Sequence, residues 1–224
     1  DFARGLAERY VAPQFDPLAF ELLNEPTAAD NADWNPVARV GLEAIRGISP
    51  DRTVVIGSNR WSAPATFPDL ADFGDPNVVY ACHWYEPFVF THQRAPWNEH
   101  MTLLYMAVQY PTVLPDLSEK ADAMPTDEMR EHTLQWSGLR LDAERMEQCI
   151  RPAVKFRDRV GAPLYCGEFG VLKTAPRESQ LRWYADVRDL FARHGIGWAN
   201  WDYRGGFGLL EATGEERDIR RVLF

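Results

Sequence analysis

Two glutamates sit where a carboxyl group could do chemistry rather than only carry charge. Glu25 closes residues 20–26 (FELLNEP), an apolar run that ends in Asn24-Glu25-Pro26. Glu168 lies in residues 165–170 (YCGEFG), again at the end of a short apolar run. Side chains alternate along a strand, so Glu21, Leu23 and Glu25 are expected on one face, and Leu164, Cys166 and Glu168 on another. Pro26 cannot extend a ladder, which leaves Glu25 at the strand's rim. Gly167 and Gly170 let backbone and ligand approach closely. The chemistry that needs two carboxyls is glycoside hydrolysis. One, kept protonated, donates to the leaving oxygen, and the other attacks the anomeric carbon and holds the sugar as an ester. Taken singly, either Glu could instead cap or salt-bridge a loop.

The elements that must position these groups alternate along the chain. Residues 1–10 read as an amphipathic helix without its start. Strands are expected at 18–23, 53–57, 78–85, 163–167 and 197–201. Helices are expected at about 36–46, with Pro36 near the first turn and apolar Val37, Val40, Leu42 and Ile45, and at 142–160 with Gly161 as cap. A further helix is opened by Ser179, runs to His194 and stops at Gly195. A helical turn at 70–73 and a terminal helix at 215–223 complete the reading. Short apolar strands alternating with helices imply an α/β fold with a parallel sheet buried on both faces. The strands end in Asn24-Glu25, Asn59, His83 and Tyr85, Glu168 and Trp201, and chemistry at successive carboxyl ends is the habit of the (β/α)8 TIM barrel. Five strands do not close eight, so strands four to eight are expected here and three before residue 1. Residues 1–224 are expected to form a single catalytic domain, with 86–140 a long loop insertion after the sixth strand.

Composition narrows the partners. The 224 residues include 33 acidic and 24 basic side chains, a net charge of −9, without a basic run that would suit nucleic acid. No apolar stretch approaches the roughly 20 residues of a membrane span. Neither GxGxxG nor a P-loop motif is present, so dinucleotide and P-loop readings lack support. Cys82, Cys149 and Cys166 have no metal-type spacing and read as small buried fillers. Eight Trp, eight Tyr and twelve Phe are more informative. Trp136 and Trp183 are expected in the core. Trp61 and Trp97 stand beside polar turn residues, where flat faces suit the apolar C–H faces of sugars.

The motifs resemble glycoside hydrolase family 5, the cellulase family of the TIM-barrel retaining glycosidases. Residues 20–26 are similar to its fourth strand, His83-Trp84-Tyr85 to its sixth, residues 165–170 to its seventh and residues 198–201 (WANW) to its eighth, all in family order. The resemblance implies Glu25 as acid/base and Glu168 as nucleophile. It further implies Asn24 at the sugar 2-hydroxyl, Tyr85 on the nucleophile carboxylate, His83 orienting the site and Trp201 stacking under the sugar. An Arg and a His that the family carries on earlier strands have no counterpart, as expected if those strands precede residue 1. Glu21 is read as a buried partner for a cation, residues 86–88 and 91–93 as cleft candidates, and Asp202 and Tyr203 as supports.

The implied function is retaining, endo-acting hydrolysis of a β-linked glucan without metal or organic cofactor. The same chemistry on β-mannan, xyloglucan or β-1,3-glucan is the alternative, and an inactive truncation or a carbohydrate-binding pseudoenzyme is the alternative of another class. The expected partner is a polysaccharide or oligosaccharide, with no nucleic acid or membrane, and the expected state is a monomer. The resemblance suggests secretion or a periplasmic location.

Overall fold

Short runs of branched and aromatic residues pair as strands, and the computed structural model describes them within residues 2–224. Among the described residues the strands are β1 (Phe20–Glu21), β2 (Val54–Gly57), β3 (Val78–Trp84), β4 (Thr112–Val113), β5 (Arg140–Leu141), β6 (Leu164–Phe169) and β7 (Gly197–Trp198). One sheet has the order β1-β2-β3-β6-β7, five strands as expected. β2 lies parallel to both β1 and β3, with Phe20 opposite Val54 and Val54 opposite Val78. β6 and β7 are parallel, with Cys166 opposite Trp198. β4 and β5 form a separate antiparallel pair that the sequence did not suggest. Among the described residues, no helix is long and apolar enough to cross a membrane.

Contacts divide the chain into two interleaved units. The first comprises Asp1–Trp84, Ile150–Gly167 and Ile196–Trp198, and the second comprises Tyr85–Cys149, Glu168–Gly195 and Ala199–Phe224.

The first unit holds most of the parallel sheet. Its helix Trp34–Arg46 starts two residues before the expected 36 and buries Trp34, Ala38, Leu42 and Ile45, a spacing that keeps one face inward. The Trp34 indole donates to the Gly57 carbonyl at 2.8 Å. Val37 and Val40, expected on that inner face, are 61% and 67% exposed, because the turn they occupy points away from the sheet. Phe156 packs edge-on against Phe67 and Tyr80. The helical turn expected at 70–73 lies earlier, as a 3-10 segment at Pro64–Asp69 whose first residue, Pro64, suits a helical start. Leu70 and Phe73 are nevertheless buried.

The second unit contains the long segment after β3, which is built rather than loose. It carries helices Phe88–Thr91, Glu99–Leu104, Ser118–Asp122 and Asp127–Trp136 and is closed by the β4–β5 pair. Helix Arg177–His194 anchors it. Ser179 Oγ donates to Gln109 Oε1 at 2.8 Å, Arg182 Nε to the Tyr110 carbonyl at 2.9 Å, and Tyr110 Oη to Asp186 at 2.6 Å. That helix begins two residues before Ser179, directly after Pro176, so Ser179 is a buried tether rather than the cap. Gly195 does end it, with φ of 60°. Trp183 is fully buried as expected, whereas Trp136 is half-buried and stacks on His100. The final helix is Ile219–Leu223, shorter than expected.

The three cysteines are free, with Cys82 and Cys166 buried and Cys149 half-buried.

Arg52, just before β2, is a buried cation with carbonyl partners. Its guanidinium donates to the carbonyls of Tyr10, Phe15, Asp16 and Leu18, gathering the chain that leads into β1. It also lies over the Phe20 ring, 5.1 Å from the centroid. Arg52→Leu strands four acceptors and is expected to lower stability by about 3 kcal/mol in urea unfolding. A loss below about 0.5 kcal/mol, the usual size of a surface change, would show the clamp to be idle.

Candidate functional site

β1 makes only two residues of strand, and its ladder ends with the Leu22 N–H on the Val55 carbonyl at 3.1 Å. The alternation expected from Glu21 to Glu25 therefore does not run that far. Leu23 and Glu21 are exposed, so Glu21 is not buried as the pattern suggested. Glu25 instead adopts a left-handed backbone with φ of 51°. For a residue with a Cβ this costs on the order of 1–2 kcal/mol and persists only when neighbours impose it.

Those neighbours belong to the first unit. His83, near the end of β3 and 5% exposed, places Nδ1 2.8 Å from Glu25 Oε1. The ring can donate this bond to a carboxylate or, as the other tautomer, accept it from a carboxylic acid. Gly167 makes room for the ring, since a Cβ there would lie 3.2 Å from His83 Nε2. Asn24, the other predicted member of this motif, is exposed.

After β2 the chain turns back under the Glu25 loop. Asn59 was expected as a strand-end functional group, yet it is 2% exposed and spends its carboxamide on that loop. Its Oδ1 accepts from the Ala28 N–H at 2.7 Å, and its Nδ2 donates to the Ala28 carbonyl at 2.9 Å. Arg60, Trp61 and Ser62 follow with φ of 52°, 60° and 56°, three consecutive left-handed residues that carry side chains. Gly57 permits this turn, because a Cβ there would collide with Ser62 Oγ. Trp61 ends up 59% exposed.

The second unit holds Glu168 on β6 itself, the residue after Gly167. Tyr85 Oη donates to Glu168 Oε2 at 2.8 Å. The Tyr85 ring is set by an aromatic layer, edge-on to His92 at 4.9 Å and tilted against Phe207 at 5.7 Å. His92 in turn stacks on Phe88 at 4.2 Å. Thr91 Oγ1 donates to the Tyr85 carbonyl at 2.6 Å. Residues 91–93, cleft candidates by sequence, are thus buried supports. Phe207, in a Gly-rich run that drew no attention in the sequence, is part of the layer, and Trp97, 63% exposed, borders it 6.2 Å from Phe207.

Trp201 is 47% exposed, and its N–H reaches the Phe169 carbonyl at 2.9 Å, so the chain stays beside β6 although β7 ends at Trp198. Gly170 is required there, as a Cβ would collide with the Trp201 carbonyl. Asp202 packs against Gly205, and Tyr203 is exposed.

The contacts thus bring Glu25 together with His83, and Glu168 together with Tyr85. Each pairing joins a carboxyl, in the loop after β1 for Glu25 and on β6 for Glu168, to a polar ring at or just past the end of β3.

Residues 1–206 match the family described as cellulase (glycosyl hydrolase family 5). The chain is 36% identical over 204 residues to Endoglucanase C of Acetivibrio thermocellus, covering 91% of this chain. It is 31% identical over 192 residues to Cellodextrinase A of Ruminococcus flavefaciens, covering 85% of this chain and 49% of that protein. The solved structure of endoglucanase Cel5A from the hyperthermophilic Thermotoga maritima aligns with a TM-score of 0.81 at 24% identity, over 100% of this chain and 64% of that one. This chain spans 58% of the length of Endoglucanase C.

Burial holds the His92 imidazole down to about 4 from its ordinary 6.5. The folded chain therefore disfavours protonated His92. The stability this represents is fully present above about pH 6.5 and is lost as pH falls towards about 4. Between about pH 7 and pH 4, His92→Phe is expected to lose on the order of 3 kcal/mol less unfolding free energy than the parent in urea titrations. Identical acid limbs in the two proteins would exclude a buried, titrating His92.

Proposed function

Because the chain belongs to glycosyl hydrolase family 5, whose (β/α)8-barrel fold its five parallel strands follow, we propose that it hydrolyses a β-linked glucan with retention, using Glu25 and Glu168. The observation that carries this reading is that the two carboxyls have different partners, an imidazole 2.8 Å from Glu25 and a phenol 2.8 Å from Glu168. Two carboxyls in different surroundings can divide the roles of acid and nucleophile.

In the first step a Glu168 oxygen attacks the anomeric carbon while the glycosidic C–O bond breaks. Glu25 gives its proton to the departing oxygen, and the sugar is left as an ester on Glu168. In the second step Glu25, now a carboxylate, takes a proton from water. The water oxygen attacks the same carbon, the ester bond breaks, and Glu168 is freed. Two inversions leave the configuration retained. Tyr85 would hold the nucleophile carboxylate, and His83 would orient Glu25. Asn24 would meet the sugar 2-hydroxyl, and the exposed face of Trp201 would stack under a sugar ring. The sequence balances with two carboxyls and water, and needs no metal or organic cofactor. A relative named as an endoglucanase supports glucan as the substrate class and internal cleavage as the mode, and one named as a cellodextrinase supports the substrate class. Residues 1–224 would then be the C-terminal portion of one catalytic domain, with 86–140 as its insertion.

Glu168→Gln is expected to abolish turnover of polysaccharide and of activated aryl glycosides, with the thermal transition unchanged. Glu25→Gln should fail on polysaccharide but keep first-step activity where the leaving group needs no proton. A fluorinated glycoside that stalls the second step should label Glu168, read by peptide mass spectrometry. Near-normal rates for Glu168→Gln on an activated substrate, or an inverted product by NMR, would remove the nucleophile assignment.

A further inference from the structure

The sheet lets go of the chain after β1, so something other than the ladder must fix Glu25. Residues 59–61 supply it. Beyond its paired bonds to Ala28, the Asn59 Nδ2 reaches Asn31 Oδ1 at 3.1 Å and the Asp30 carbonyl at 3.4 Å. Arg60 Nη2 donates to the Ala29 carbonyl at 2.9 Å, and the Trp61 N–H to the Pro26 carbonyl at 3.2 Å. Thr66 Oγ1 donates to the Asn59 carbonyl at 2.7 Å and ties the clamp to the 3-10 segment behind it. Pro26, Ala28, Ala29, Asp30 and Asn31 are thereby held from one side, starting at the residue that follows Glu25.

Both members of this contact have left-handed backbone: Glu25 in one loop, Arg60 to Ser62 in the other. Strain of this kind relaxes unless it is opposed, and the bonds from residues 59–61 oppose it. A glutamate held only by the His83 contact could swing about its own backbone. A glutamate whose loop is also clamped delivers its proton along one direction.

We infer that Asn59 is a positioning residue for the general acid, acting through the backbone of residues 26–31 on the direction in which Glu25 delivers its proton. This rests on Glu25 being the acid, as proposed above. A purely structural Asn59 would, when removed, lower the rate on every substrate alike. A positioning Asn59 would, when removed, hurt most where the leaving group most needs a proton.

The test uses the enzyme carrying Asn59→Ala, Arg60→Ala or Glu25→Gln, with soluble β-glucan and a series of aryl β-cellobiosides of graded leaving-group acidity. The quantity read is kcat/KM, which reports the first chemical step. Asn59→Ala is expected to lose up to about 100-fold on glucan, the scale of a misplaced catalytic group. The loss should shrink steadily as the leaving group improves. Arg60→Ala, a change at an exposed side chain, should show the same trend at smaller size, and it decides the matter if Asn59→Ala does not fold. A leaving-group trend in Glu25→Gln, with losses in the Asn59 and Arg60 variants that are uniform or absent, would overturn the inference while leaving the acid assignment intact. A uniform loss in Glu25→Gln would remove the acid assignment and this inference with it.

Discussion

The Glu25 carboxyl depends on a backbone that the sheet does not hold. β1 pairs for two residues and then releases the chain, and Glu25 takes a left-handed φ of 51°. Each neighbouring feature of the first unit answers to that constraint. His83 reaches the carboxyl from β3, and Gly167 gives its ring space. Asn59 holds the loop from beneath, and Gly57 allows the turn that brings Asn59 there. The glycines matter because a Cβ at either place would push the imidazole or the turn out of position.

Glu168 is held in a different way. It sits on β6, within the strand, and needs no strained backbone. Its phenol partner comes from Tyr85, whose ring is locked by His92 and Phe207. In the proposed mechanism this difference has a reason. A nucleophile must meet one carbon along one line, and a strand supplies that rigidity. The acid/base must serve the leaving oxygen first and water afterwards, and it is carried on a loop with its own fastenings.

The segment between β3 and β5 has a part in this arrangement. It supplies His92 and Phe88 to the layer behind Tyr85, with Trp97 at its border, and is tied to helix Arg177–His194 through Ser179, Arg182 and Asp186. Burying His92 among aromatic rings disfavours its protonated form, and the ring packs as a flat face beside the phenol.

Much of the framework was legible in the residues themselves. Five parallel strands and the helix ending at Gly195 follow from apolar periodicity and helix stops, which are local, and the Tyr85 contact with Glu168 was implied by resemblance to the family, whereas the Glu25 contact with His83 was not foreseen. What the sequence could not determine depends on which segments meet. Val37 and Val40 match a helical period but face outward, because the sheet selects the face that carries Trp34, Ala38 and Leu42. Glu21 was expected to point inward but is exposed, because within β1 it is Phe20 that takes the buried face. Asn59 reads as a group at a strand end and proves to be a clamp, because Ala28 lies 31 positions away in sequence and within hydrogen-bond reach in space. Strand type and motif are encoded locally by residue kind and spacing. The direction of a side chain at a strand end is decided by non-local hydrogen bonds, and those exist only once the chain has folded.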